Sequence, residues 1–148
     1  MLKSLEKEIQ LIKRHRYQFL LLIPRNVNST KLCDAVSQLG IPMVNVSLAL
    51  ARQMKQIPAG RRPRRVKDEL MNAMDCQKQE TVFLRRIHYL FDEELKQDPL
   101  GLIQAISGNK TILVEWPGEV DHGVLRYGTP DHPEYYERDD YQAHIIEL

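Results

Sequence analysis

The chain has 148 residues, of which 43% are hydrophobic and 28% charged; this is the size and composition of one folded domain and excludes a disordered or collagen-like chain. A domain of this length buries roughly 70% of its unfolded surface, so it needs no disulfide framework. Twenty-one basic residues against 20 acidic ones leave +1, which excludes a bulk polycation and restricts any nucleic-acid contact to a local patch.

Leu2, Leu5, Ile9 and Ile12 recur at helical spacing and predict an amphipathic helix over about residues 1–16. Tyr17 to Ile23 (YQFLLLI) is a short, almost wholly apolar run, the pattern of a strand covered on both faces. Asn28 or Ser29 is placed to cap the next helix, whose stripe is Leu32, Val36 and Leu39 and whose stop is Gly40. Met43 to Val46 predicts a second strand. Ser47 is placed as the cap of a helix carrying Leu50, Met54 and Ile57, broken by Pro58 and Gly60. Arg61-Arg62-Pro63-Arg64-Arg65 reads as a connector, since its proline and mutual repulsion oppose a packed element. Val66, Leu70 and Met74 mark another helix.

Thr81 to Leu84 opens a third strand, Asp98-Pro99 is a helix start, Gly108 a stop, and Lys110 to Trp116 a fourth strand. Beyond Pro117, Val124 to Tyr127 and His144 to Leu148 read as short strands around a loop rich in Asp, His and Pro. Alternating strands and helices define an α/β fold, a mainly parallel sheet with helices on its faces. Ligands of such sheets lie beyond the strand C-termini, so the loops after Ile23, Leu84 and Trp116 matter most.

An apolar strand, a polar loop and a helix is where a phosphate-binding loop, G-x-x-x-x-G-K-[ST], sits. Counted from the strand end, Pro24 and Ser29 stand on the two glycine positions, Thr30 on the lysine and Lys31 on the hydroxyl residue. Pro24 offers no N–H, Ser29 carries a Cβ, and a lysine one residue late is rotated by about 100° around the helix. The helix start still attracts anions, which makes Asn26, Asn28, Ser29, Thr30 and Lys31 the candidate cofactor-binding residues. The competing reading of the same segment is an ordinary strand-to-helix loop with an Asn/Ser cap.

Phosphate chemistry with magnesium also needs a carboxylate at a neighbouring strand end. If the strand runs through Val82-Phe83-Leu84, that position is Arg85. If it runs through Tyr89-Leu90-Phe91, the position is Asp92-Glu93. A buried central strand does not tolerate Arg85 and Arg86 side by side, which favours the first register.

The stretches FLLLIPRNVNSTKL, IPMVNVSLALARQM, LRRIHYLFDEELKQDPLGLIQAISGNKTILVEWPG and YGTPDHPEYYE together resemble the BrxF family, small P-loop proteins of type 3 bacteriophage-exclusion (BREX) systems. The resemblance spans roughly residues 17 to 137, and LFDEELKQDPLGLIQ, NKTILVEWPG and HPEY are its most specific parts. It implies a three-layer αβα P-loop NTPase-like fold, ATP with magnesium as cofactor, and a role in antiviral defence beside a DNA methyltransferase and other ATPase components. Family members carry a Gly-Lys-Thr loop, an aspartate where Arg85 stands and often a glutamate where His88 stands. Their replacement here implies a P-loop fold kept as a scaffold, with hydrolysis lost and no catalytic or metal-binding residue assigned. The rival enzyme reading, a divergent ATPase, would use Lys31 and Asp92-Glu93.

Arg61, Arg62, Arg64 and Arg65, extended by Lys13 to Arg16, form a candidate nucleic-acid contact; no aromatic residues interleave either cluster, which argues against single-strand stacking. The pairs Asp121-His122 and Asp131-His132, with Glu134, match no zinc spacing and read as turn residues. Trp116 reads as core packing. The first helix either docks on the sheet or pairs with a second copy in a homo-oligomer. No apolar run approaches the roughly 20 residues that span a bilayer, and the opening MLKSLEKEIQ has no signal-peptide core. Cys33 and Cys76 lack CxxC spacing, which fits a reducing cytoplasm as the expected location.

Overall fold

The computed structural model describes residues 2–75 and 78–148; Cys76 lies outside the described residues. Five parallel strands form the central sheet: β1 (Phe19–Ile23), β2 (Met43–Asn45), β3 (Thr81–Arg85), β4 (Thr111–Glu115) and β8 (Ile145–Glu147), in the order β2-β3-β4-β1-β8. β1 is buried at all five positions, because helices cover both faces, and this is why its sequence lacks any alternation of polar and apolar residues.

One helical layer is α1 (Leu2–Ile12) and α2 (Ser29–Gln38), whose Leu5, Ile9, Ile12, Leu32 and Val36 pack on Leu20, Leu22, Phe83 and Leu113. The opposite layer is α3 (Val46–Met54), α4 (Arg62–Asp75) and α5 (Pro99–Ile106), packed on Phe19, Leu21, Val82, Leu84, Ile112 and Val114. The αβα layout and the mainly parallel sheet are those read from the sequence. α1 ends at Ile12, four residues short of the expected stop, and docks on the sheet. No described helix is long and apolar enough to cross a membrane.

Three local expectations are corrected. Asn45, not Ser47, caps α3: its Oδ1 accepts the Leu48 amide at 3.0 Å. The Arg61–Arg65 cluster is no connector; it straddles a 3₁₀ turn (Ala59–Arg61) and the first turn of α4. Proline is well tolerated in a first helical turn, where its missing N–H would have no partner, and Val66, Leu70 and Met74 pull the segment onto the core. The C-terminal region forms four strands rather than two. β5 (Glu119–Asp121), β6 (Val124–Tyr127) and β7 (Tyr136–Arg138) make a separate antiparallel sheet, while β8 returns to the central sheet beside β1.

The turn reading of Asp121-His122 agrees with this sheet. His122 and Gly123, at φ +50° and +79°, join β5 to β6 as a two-residue hairpin loop, which requires positive φ at both positions. Gly40, at φ +74°, closes α2 as read.

Candidate functional site

The strand order reverses around β1: α2 carries the chain from β1 to the far edge strand β2, while β8 fills the other side. A crevice therefore forms beyond the C-terminal ends of β1, β3 and β4. It holds an open cleft of about 410 Å³ lined by Pro24, Ser29, Arg85, Arg86, His88, Glu115, Trp116, Pro117 and Tyr127.

Three side chains from three elements meet at its floor. Ser29, the first residue of α2, donates through Oγ to Glu115 Oε2 at 2.6 Å. Arg85, at the end of β3, donates through Nη2 to Ser29 Oγ at 3.1 Å. Its Nε lies 3.4 Å from Glu115 Oε1, near enough for charge attraction but out of line for a hydrogen bond. Arg85 and Glu115 are only 26% and 14% exposed, so water screens their attraction weakly. Cys33 sits one helical turn beyond Ser29. Burial pushes its thiol above the ordinary value, against the opposing influence of Arg85.

The backbone of the first loop is also engaged. The N–H groups of Arg25 and Asn26 donate to the Leu148 carbonyl at 2.8 and 2.7 Å, and the Leu148 N–H donates to Ile23 O at 2.9 Å. The ladder between β1 and β8 thus runs on into the loop. Arg25 is fixed further by its guanidinium, which donates to Val120 O and pairs with Glu147 at 3.2 Å.

Of the five residues singled out in this loop, only Ser29 lines the cleft. Asn28 is the α2 cap, accepting the Lys31 amide at 2.8 Å, and Asn26 contributes a backbone bond to the sheet. Thr30 and Lys31 are exposed and outside the cleft lining. The residues present do not fit a magnesium–triphosphate group. Pro24 has no N–H, the next two amides are spent on Leu148, and a guanidinium stands where the metal's carboxylate belongs.

The Asp92 register is overturned, because β3 ends at Arg85. Asp92 instead accepts the Glu94 amide at 2.9 Å and lines an adjoining cleft of about 350 Å³ with Ser47, His88, Tyr89 and Tyr127. The divergent-ATPase assignment of Lys31 and Asp92-Glu93 goes with it. The sequence reading missed Glu115. Its only signal was an acidic residue closing an otherwise apolar strand.

The segment after β3 is held in a sharp turn. Arg86 adopts φ +54°, and its carbonyl accepts both the amide of Ser47, at 3.0 Å, and the hydroxyl of Ser47. The Tyr89 amide donates back to Ser47 Oγ at 3.1 Å. Ser47 is therefore a staple between α3 and the cleft wall. Trp116 is buried as expected, its ring set edge-to-face against Phe91 with ring centroids 5.8 Å apart and its indole N–H donating to Glu119 O at 3.1 Å. The four arginines at 61, 62, 64 and 65 lie at the α3–α4 junction rather than at this cleft. Comparison with protein-family models, with curated proteins and with solved structures finds no match to this chain.

Proposed function

We propose that the chain is a subunit of a type 3 bacteriophage-exclusion system, resembling BrxF, whose P-loop NTPase-like core works as a protein-binding scaffold and does not hydrolyse nucleotide. The observation that carries this reading is the Arg85 guanidinium. It is held between Ser29 and Glu115, in the crevice where a nucleotide-hydrolysing relative would hold magnesium. An internal cation there neutralises Glu115 and removes the attraction for a divalent metal. The strand order, with the first loop at the reversal point, supports the P-loop-like part of the reading. The resemblance over residues 17 to 137 supports the phage-defence part. The partners are then the other proteins of the exclusion system, met in the cytoplasm.

Isothermal titration of the purified chain with ATP and magnesium tests the scaffold. The expected result is no saturable heat and no phosphate release. Micromolar binding with turnover abolished by Lys31→Ala would overturn it. Co-expression with the remaining proteins of such a system tests the assignment to phage defence, with co-purification of at least one of them expected and its failure counting against the assignment.

A further inference from the structure

The chain's near-neutral charge conceals a strong segregation. From Ala35 to Lys67 there is no Asp or Glu, while Arg52, Lys55, Arg61, Arg62, Arg64, Arg65 and Lys67 contribute seven positive charges. The rest of the chain carries the other 14 basic residues and all 20 acidic ones, so it is net negative. Six of these seven cations belong to the last turn of α3, the turn that follows it and the start of α4. Arg52, Lys55, Arg61, Arg64, Arg65 and Lys67 are all exposed.

Arg61, Arg64 and Arg65 line one cleft of about 360 Å³, with Gln56, Ile57 and Pro58 as its remaining wall. Their partners differ. Arg62 turns away and donates through Nε to Ile57 O at 2.9 Å, which makes it part of the turn. Arg65 pairs with Glu69 one turn along α4 at 2.7 Å. The side chains of Arg61 and Arg64 make no hydrogen bond or ion pair among the described residues. Folding gains nothing from these two, and cations at a helix start oppose its dipole. An arrangement that costs stability and spends no guanidinium donor internally has its donors available for an outside anion.

The surroundings decide which anion. A protein partner needs a large apolar or aromatic anchor at the centre of the contact; here Leu50, Met54 and Val66 are buried, Ile57 is only partly exposed in the cleft wall, the exposed Leu48 lies outside the cleft lining, and no aromatic residue occurs between Val46 and Lys67. A polar, strongly positive surface without such an anchor matches nucleic-acid interfaces. Absence of aromatics removes base stacking, so the partner is a duplex gripped by its backbone rather than a single strand. We infer that the α3–α4 junction is a docking surface for duplex nucleic acid, with Arg61, Arg64 and Arg65 contacting phosphates without reading sequence. This inference is independent of the scaffold reading of the first cleft.

The test is fluorescence anisotropy of the full chain with a short mixed-sequence DNA duplex across a salt series. Binding at low salt that falls linearly on a log–log plot is expected. The double variant Arg61→Ala/Arg64→Ala should weaken it about tenfold or more and flatten the salt slope by about two. Neither side chain has a partner among the described residues and both oppose the helix dipole, so the melting temperature should hold or rise slightly, and Lys3→Ala/Lys7→Ala on α1 serves as the charge-matched control. No binding at low salt, or equal loss in the control, overturns the inference. Tighter binding of the matching single strand, or of polyglutamate-displaceable acidic protein in place of the duplex, overturns it as well.

Discussion

Arg85 Nε stands 3.4 Å from Glu115 Oε1, joining the C-terminal ends of two adjacent strands that are 30 residues apart in sequence. The pair is mostly buried, and Ser29 touches both members. Removing one partner leaves the other desolvated without its countercharge. Glu115→Gln and Arg85→Ala should each lower stability by about 1–2 kcal/mol. The double variant Arg85→Ala/Glu115→Gln should cost no more than the worse single change, because no charge remains to be left unpaired. Urea midpoints at constant m-value give the cycle. Additive costs in the double variant would show that the two side chains do not act as a pair.

That relationship also marks the limit of what the sequence shows. β1 is legible as an unbroken apolar run and β4 by its apolar centre, Ile112 to Val114, because helices cover both on two sides, and the incompatibility of Arg85-Arg86 with a buried strand is enough to choose the register of β3. The first loop is legible as a capped strand-to-helix turn, with Asn28 as the cap of α2. Glu115 is not legible, since a terminal acidic residue looks the same whether it faces water or an arginine. Its meaning depends on β3 and β1 both lying beside β4, which is a property of sheet order. β8 is legible as a short strand within His144 to Leu148, but its place is not, for a related reason: Ile145–Glu147 joins the central sheet because the open edge of β1 needs a partner. The Arg61–Arg65 cluster misleads because charge repulsion is a weak local preference and the apolar stripe of α4 outweighs it.

Gly118 is fixed by the small sheet. A Cβ there would stand 1.9 Å from the Arg126 carbonyl oxygen, a backbone atom in the middle of β6 that has no rotamer to yield. Gly118→Ala should therefore destabilise by about 2 kcal/mol or more, or detach the β5–β7 sheet locally. Gly108→Ala is the control, since open space surrounds its position, and should stay within about 0.5 kcal/mol. Thermal melts and hydrogen exchange at Leu125 and Tyr127 separate global from local loss. An unperturbed Gly118→Ala would mean that the tight contact between the Gly118 turn and β6 is not kept in solution.

The β5–β7 sheet is tied to α5 through Asp98, which accepts hydrogen bonds from the Tyr136 hydroxyl and from Arg138 Nη1, the latter at 2.9 Å. Burial, with the Asp98 carboxylate beside it, pushes the Tyr136 phenol far above its ordinary value of about 10. The native state thus holds this proton to higher pH than the unfolded chain does. The resulting stabilisation is complete below about pH 10 and is lost as pH rises towards the native value. Unfolding free energy should fall as pH is raised above about 10, and Tyr136→Phe should be less stable at pH 8 but show a shallower alkaline decline. Parallel declines in both proteins would remove Tyr136 as the cause.

Arg86 and Ser47 offer the last test, because together they set the wall shared by the two clefts. Arg86 pays for its φ of +54° with backbone strain of about 1 kcal/mol, and the carbonyl it presents is satisfied by both the amide and the hydroxyl of Ser47. Ser47→Ala removes the hydroxyl bond and also strands the Tyr89 amide, which has Ser47 Oγ as its acceptor, so a cost of about 1–2 kcal/mol is expected. Arg86→Gly acts in the opposite sense. It relieves the left-handed strain but loosens the unfolded chain, leaving a change between zero and a gain of about 1 kcal/mol. Combining the two tells strain from bonding: if the serine exists to hold a strained turn, Ser47→Ala should cost less in the Arg86→Gly background, where the turn holds itself. A full, undiminished cost in that background would show that the bonds Ser47 makes to the residue-86 carbonyl and the Tyr89 amide are independent of the strain.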